Sequence, residues 1–252
     1  MTRRRWIADE VTGDTAALVG NHAAHLARVL RAQIGDEFDV ATGSDVYRGT
    51  ITTISNDRVE FLLDNLRRGL PKPATNSDPK ITLVLAVFKF DRMEWAIEKC
   101  TEIGVARIVP VIARRTDAHL ATAALKRHER WQRIARQASE QSRRSAPPEI
   151  TAPVKLKELA VTDLLPIDLQ PRVVFSESLA GAEAASCAEI LRSQSSTGAV
   201  ALAIGPEGGW AEAELVWFHD TGWRAGSLGL TILRSETAAI VATTLALEFF
   251  RS

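Results

Sequence analysis

The chain has 252 residues, 46% of them hydrophobic, with 31 basic and 31 acidic side chains and only two cysteines. That length buries one sizeable core and a smaller second one, and two cysteines exclude a disulfide framework or a cysteine-based zinc site. The longest apolar run, Ala238 to Phe250, is too short to span a bilayer and is broken by Thr243, Thr244 and Glu248; the basic start Met1-Thr-Arg-Arg-Arg-Trp-Ile lacks the apolar stretch of a signal peptide, so a cytoplasmic protein with no membrane partner is expected.

Residues 1–68 are rich in short strand signals. Phe38-Asp-Val, Tyr47-Arg-Gly-Thr-Ile-Thr-Thr-Ile and Arg58-Val-Glu-Phe-Leu-Leu alternate in polarity between the turns Gly43-Ser-Asp and Ser55-Asn-Asp. One helical stretch, Gly20 to Arg31, interrupts them, and the pattern predicts a small β-barrel over 1–70. Gly69 to Pro79, with three prolines and few apolar residues, reads as a linker.

From Lys80 strands and helices alternate. Ile81-Thr-Leu-Val-Leu-Ala-Val reads as a buried strand, with Asp91 as the N-cap of a following helix and Glu94 completing a capping box. Met93, Ala96, Ile97, Cys100 and Ile103 form that helix's apolar face, and Gly104 ends it. Strand Arg107–Ile112, a long helix from about Ala123 to Arg144, strands Val173–Phe175 and Val200–Ile204, and a helix from Ser235 to Phe249 complete the series. This order predicts an α/β domain with a mostly parallel sheet over 80–252.

In such sheets ligands bind beyond the carboxyl ends of the strands. Two glycine-bearing turns fall there: Gly205-Pro-Glu-Gly-Gly, and Gly226-Ser-Leu-Gly-Leu-Thr-Ile-Leu-Arg-Ser-Glu-Thr-Ala. Neither is a phosphate cradle, since no G-x-G-x-x-G or G-K-[ST] is present. Charge is uneven along the chain. Residues 114–144 carry nine basic side chains against three acidic, net plus six, and residues 145–252 carry seven against thirteen, net minus six. Arginine outnumbers lysine 24 to 7. Its planar fork suits phosphate and base edges, so the basic segment is either a nucleic-acid surface or a solvated helix face.

Taken together, "IGPEGGW" and "LGLTILRSETAA" resemble the paired signature of the RsmE group of the SPOUT methyltransferases, which methylates N3 of a 16S ribosomal RNA uridine. "FKFDRMEWAIEKCTEIGVARIVPVIARRT" and "RWQRIARQASEQSRRSAPPEI" are similar to that family's middle segments in order and spacing, and "HLARVLRAQIGDEFDV" to its N-terminal module. The resemblance implies a PUA-like barrel followed by an α/β domain tied in a trefoil knot, a homodimer, and bent S-adenosylmethionine held by the two glycine turns near the subunit interface. Carried onto this chain, it implies cofactor contacts from Ile204, Gly205, Pro206, Gly208 and Gly209, from Leu228, Gly229, Leu230, Ile232 and Leu233, and from Thr237 and Ala238. The glycines permit close backbone approach and the leucines and isoleucines supply apolar walls for an adenine. Thr231 stands where the family usually has Arg or Lys, and Trp210 where Phe is common.

Uracil N3 is protonated at neutral pH, so methylation there requires removing a proton or stabilising the anion. Arg234 cannot act as a base; its role is to stabilise charge on the uracil carbonyls, or else to brace the loop by pairing with Glu207 or Glu236. Glu207 either accepts the N3 proton or fixes its own loop. Glu236 reads as a first-turn helix residue and Ser235 as the N-cap. The expected partner is 16S rRNA or the assembled small ribosomal subunit. It would be met by Arg3, Arg4, Arg5, His25, Arg28 and Arg31 in the first domain, and by Arg114, Arg115, Arg136, Arg143 and Arg144 in the second. His22 and His25 share a helix face, but with no third ligand nearby no metal is expected. A non-catalytic RNA binder is the alternative, and the intact cofactor turns argue against it.

Overall fold

In the computed structural model the described residues are 4–43, 45–64, 80–160, 164–165, 169–176, 185–194 and 198–251. Among them the expected linker at 69–79 and Arg3 are not included. The chain forms two compact units, Met1–Asn76 with Arg136–Pro147, and Ser77–Ala135 with Pro148–Ser252.

The first unit is built on one six-stranded sheet. Its strands are β1 (Arg5–Ile7), β2 (Glu10–Thr12), β3 (Thr15–Val19), β4 (Glu37–Ala41), β5 (Val46–Ile54) and β6 (Arg58–Leu63), in the order β1-β4-β5-β6-β3-β2. Every pairing is antiparallel except β1 with β4. The alternation in β5 and β6 sends Ile51, Val59 and Phe61 into a core with Trp6, Leu18, Leu26 and Val40. The first three strands escaped the sequence reading. They are short, and β2 is exposed along its whole length, so it carries no hydrophobic alternation. The helix expected from Gly20 to Arg31 is instead a single α-turn, α1 (Asn21–Ala24), continuing as a π-helical turn over His25–Val29. The wider turn is recorded in the bond from the Leu30 N–H to the His25 carbonyl, five residues back.

The second unit holds eight parallel strands: β7 (Lys80–Ala86), β8 (Arg107–Ile112), β9 (Glu149–Ile150), β10 (Val154–Lys155), β11 (Arg172–Phe175), β12 (Ala185–Ser186), β13 (Ala199–Ile204) and β14 (Arg224–Ser227). Seven run in the order β10-β8-β7-β13-β11-β14-β12, and β9 pairs with β8. The helices are α2 (Phe90–Ile103), α3 (Ala118–Gln141), α4 (Cys187–Gln194), α5 (Glu212–Asp220) and α6 (Ser235–Arg251). Strand residues divide by parity. Ile81, Leu83, Leu85, Val173, Leu202 and Ile204 pack with α2, α4 and α6 on one face. Val84, Ala86, Val109, Val174, Ala201 and Ala203 pack with Phe218 and Trp223 on the other. A parallel sheet covered on both faces explains the near-continuous apolar runs.

Helix boundaries differ from the sequence reading for local reasons. α2 begins at Phe90 after Lys89, with no side-chain cap, so Asp91 lies in its first turn and Glu94 bonds Arg130 instead of closing a capping box. α3 starts at Ala118, five residues early, because Asp117 accepts from the His119 N–H at 2.8 Å. It stops at Gln141, where Arg143 turns to φ 62° and the Arg144 N–H returns to the Ser139 carbonyl at 2.8 Å. α4, α5 and β14 carry no expectation from the sequence; all three segments are short, and α5 also lacks helical periodicity.

Candidate functional site

The neighbouring strands β7, β13, β11 and β14 all end at the same edge of the second unit, and a cavity of about 650 Å³ opens beyond their carboxyl ends. This is the position expected of a ligand site in an open parallel sheet, and the volume lies in the range for small-molecule pockets, about 300–1,000 Å³. Four chain segments line it: Lys89 and Arg92 after β7, Phe175 and Ser176 at the end of β11, 204–207 with Gly209 from the end of β13, and 226–236 with Ala238 from the end of β14.

The first glycine turn is held from several sides. The Gly209 N–H closes on the Pro206 carbonyl at 2.8 Å, with Gly209 at φ 68°. Arg115 donates to the Gly208 carbonyl at 2.8 Å, and the Lys89 N–H approaches Glu207 Oε1 at 3.4 Å. Beneath it Trp210 is buried; its Nε1–H donates to the Phe175 carbonyl at 3.2 Å and its ring meets Phe218 edge-on at 4.9 Å. Tryptophan here therefore anchors the turn between two strand ends.

The second turn begins where only glycine fits. A Cβ on Gly226 would lie 2.5 Å from Val173 Cγ1 and 3.0 Å from the Phe175 ring. Beyond it the backbone is held locally, the Gly229 N–H donating to Ser227 Oγ at 3.2 Å. Leu230 and Ile232 are then strongly exposed, 107% and 76%, while Leu228 and Leu233 are half-buried.

The structure thus brings most of the expected cofactor residues together. Ile204, Gly205, Pro206, Gly209, Leu228, Gly229, Leu230, Ile232, Leu233 and Ala238 all line the cavity, as do Glu207 and Arg234. Two expected residues do not line it. The Gly208 backbone is turned toward Arg115, and Thr237 sits one step into α6. Lys89, Arg92, Phe175, Ser176, Gly226, Ser227 and Glu236 line it without having been chosen from the sequence. Their common signal, position just after the carboxyl end of a parallel strand or at a helix start, was available in the strand assignments.

Arg234 is exposed at the cavity, and its carbonyl accepts the first helical bond from the Ala238 N–H at 2.8 Å. It therefore caps α6, the place expected for Ser235, which is instead buried in the first turn. The brace expected between Arg234 and Glu236 is absent: Glu236 pairs with Arg92 at 2.7 Å. Glu236 is buried, and its second oxygen, Oε2, has no hydrogen-bond partner. Glu207 is exposed, and among the described residues the Lys89 N–H approaches its carboxylate at 3.4 Å.

The expected RNA surface divides. Within the first unit Arg4 donates to the fully buried Glu140 and lies over the Trp6 ring at 4.9 Å. Arg5 is buried and donates to the Arg143 carbonyl, and burial lowers its pKa. Arg136 binds Asp9 at 2.5 Å and also donates to the Ile7 carbonyl. These three arginines hold the unit together and are corrected from phosphate contacts to internal ones. Arg144 is half-buried, and burial pushes its guanidinium down to about 10. Arg28, Arg31, Arg143, Arg114 and Arg115 are exposed, and His25 is half-buried with its ring 6.0 Å from Trp6. In the second unit Arg130 donates from Nε and Nη2 to the two oxygens of Glu94 at 2.7 and 2.8 Å, and Arg127 covers the Phe90 ring at 4.8 Å. His22 Nδ1 lies 3.4 Å from Asp9 Oδ2.

Comparison with known proteins gives these features a context. Residues 75–247 match the family described as RNA methyltransferase domain. The ribosomal RNA small subunit methyltransferase E of Synechocystis sp. is 32% identical over 247 residues, covering 93% of this chain and 73% of its own. The protein of the same name from Bacillus subtilis is 29% identical, covering 90% and 88%. Among solved structures, a ribosomal RNA small subunit methyltransferase E from Neisseria gonorrhoeae bound to S-adenosylmethionine superposes with a TM-score of 0.77 at 29% identity, over 96% of this chain and 95% of that one. No helix among the described residues is long and apolar enough to cross a membrane.

Proposed function

The chain belongs to the ribosomal RNA small subunit methyltransferase E family, and from that premise we propose that it transfers a methyl group from S-adenosylmethionine to N3 of a uridine in 16S rRNA. The observation that carries this reading is the cavity beyond β7, β13, β11 and β14, walled by both glycine turns with a guanidinium at its mouth.

The residues present fit the cofactor. Ile204, Leu228 and Leu233 offer apolar surface, the turns offer main-chain groups for an adenine edge, and Glu236 offers a buried acceptor without a donor. When bound, the cofactor supplies an electrophilic methyl carbon. The chain's own contribution is positioning and charge: holding two reactants in line supplies much of the rate in such transfers. Arg234, exposed in the cavity and without a carboxylate partner among the described residues, is assigned to the uracil carbonyls, where negative charge develops as N3 loses its proton. Glu207 at the exposed apex of its turn is the acceptor assigned to that proton, reached from the solvent side.

The first unit, with Arg28, Arg31 and His25 on its surface, is assigned as a PUA-like RNA-binding domain over 1–70, and 80–252 as a knotted SPOUT domain. Leu230 and Ile232, apolar and exposed on the cavity's rim, favour a homodimer in which a second copy covers them. The substrate is 16S rRNA, free or in the assembled small subunit, in the cytoplasm. The test is mass mapping of modified nucleotides in small-subunit RNA from cells with and without the gene. Loss of one N3-methyluridine is expected; an unchanged map, or loss of a different modification, overturns the assignment.

A further inference from the structure

Glu236 is a buried carboxylate in the cavity wall, unlike Glu140, whose Oε1 also lacks a hydrogen bond but lies inside the first unit beside Arg136. Glu236 is 6% exposed, lines the cavity, and gives Oε1 to Arg92 at 2.7 Å while Oε2 has no donor. A buried carboxylate oxygen without a hydrogen bond is costly, and native structures rarely leave one so unless a ligand or water completes it. Its first-turn position in α6 and the pairing with Arg92 account for the charge, but not for the open acceptor.

The surroundings indicate which donor fits. Lys89 and Arg92 stand at the start of α2 and Glu236 at the start of α6, and all three line the cavity. Two helix N-termini and a lysine favour a carboxylate, and a carboxylate with one unused oxygen favours a cationic N–H donor, the partner that gives the strongest hydrogen bond. A cation site beside an anion site is complementary to a zwitterion. The apolar walls Ile204, Leu228 and Leu233 offer nothing to such a group.

We propose that Glu236 Oε2 accepts a hydrogen bond from the α-ammonium of the cofactor's amino-acid moiety, and so is the residue that distinguishes the intact cofactor from nucleosides lacking that moiety. This rests on the reading of the cavity as the S-adenosylmethionine site.

The test is binding rather than turnover, by titration calorimetry on the full chain with three probes: S-adenosylhomocysteine, its analogue with the α-amino group replaced by hydrogen, and 5′-methylthioadenosine, which lacks the amino acid. Wild type should bind the deaminated analogue at least tenfold more weakly than S-adenosylhomocysteine, the range expected for a charge-assisted hydrogen bond. Glu236→Gln should bind S-adenosylhomocysteine about tenfold more weakly than wild type, bind the deaminated analogue no differently from S-adenosylhomocysteine, and keep wild-type affinity for 5′-methylthioadenosine. Equal binding of the first two probes by wild type overturns the inference without requiring any variant to fold, and would leave a water as the partner of Oε2. Equal losses for all three probes in Glu236→Gln also overturn it, by reducing Glu236 to a structural brace. If wild type binds none of the probes, the cofactor reading itself fails, and the inference with it.

Discussion

Two clusters of charge invite comparison, one in the first unit and one at the cavity. Around Glu140 the arginines are turned inward: Arg4 and Arg136 meet Glu140, Arg136 also meets Asp9, and Arg5 meets a carbonyl. At the cavity the same residue types are left incomplete. Arg92 takes one oxygen of Glu236 and leaves the other, and Arg234 pairs with no carboxylate among the described residues. The difference teaches that a count of arginines does not locate a nucleic-acid or ligand surface. The first cluster encloses its charges, so that Glu140 Oε1, although without a hydrogen bond, sits 3.5 Å from Arg136, whereas the charges of the second face a cavity.

The comparison breaks most visibly at Glu140. Glu140→Ala leaves Arg4 and Arg136 without their shared counter-charge, and is expected to cost roughly 3 kcal/mol of stability, the low end for breaking a buried pair because both arginines reach solvent. Thermal melts measure it. An unchanged melting temperature would mean the cluster is not internal in solution.

At the cavity the opposite pattern is expected. Arg234→Ala should reduce single-turnover methylation at saturating cofactor and RNA by roughly a hundredfold or more, the range for losing one preorganised donor. Its melting temperature and cofactor affinity should stay near wild type. Arg234→Lys should recover part of the rate, since a point charge does not reproduce the planar fork. A full rate in Arg234→Ala would remove this residue from the chemistry.

Acid sharpens the contrast. Burial alone would raise the Asp9 carboxyl, but hydrogen bonds from His22, the Val19 N–H and Arg136, with the Arg136 charge, outweigh it and hold the group below its ordinary 3.8. The stability it contributes is complete above that ordinary value and is lost as pH falls through the lower folded one. Asp9→Asn should therefore lower stability at neutral pH by on the order of 1 kcal/mol after solvent screening, and flatten the acid limb of a melt series below about pH 4. A wild-type acid limb in the variant would show that the pairing contributes nothing.

The smallest effects separate surface from interior arginines. Arg28→Ala and Arg31→Ala should each lower the salt slope of RNA binding by about one unit, the consequence of one lost phosphate contact. Arg136→Ala should leave that slope unchanged while lowering the melting temperature. The reverse result would return Arg136 to the RNA surface.

Signals that depend on neighbouring residues were legible in the sequence. Near-continuous apolar runs marked β7, β8, β11 and β13, because a parallel strand buried on both faces needs them. The glycines and proline at 205–209 and the run from Gly226 marked turns at strand ends, because few other residues tolerate φ 68° at Gly209 or the approach of Val173 to Gly226. The short strands at the N-terminus, the π-helical turn and α4 were not legible, since each is shorter than a periodic signal needs.

Which charges stay free was decided only by tertiary structure. Arg92 and Glu236 are 144 residues apart and Arg4 and Glu140 are 136 apart, so no local pattern pairs them. The sequence determined that this chain would carry arginines, a glycine-walled strand edge and an acidic residue at the start of α6. Burial and pairing across those distances decided that Arg4, Arg5 and Arg136 serve the first unit's interior, and that Arg234 and one oxygen of Glu236 remain open at the cavity. Desolvation and ion pairing depend on what surrounds a group in space, and the chain order alone does not contain that.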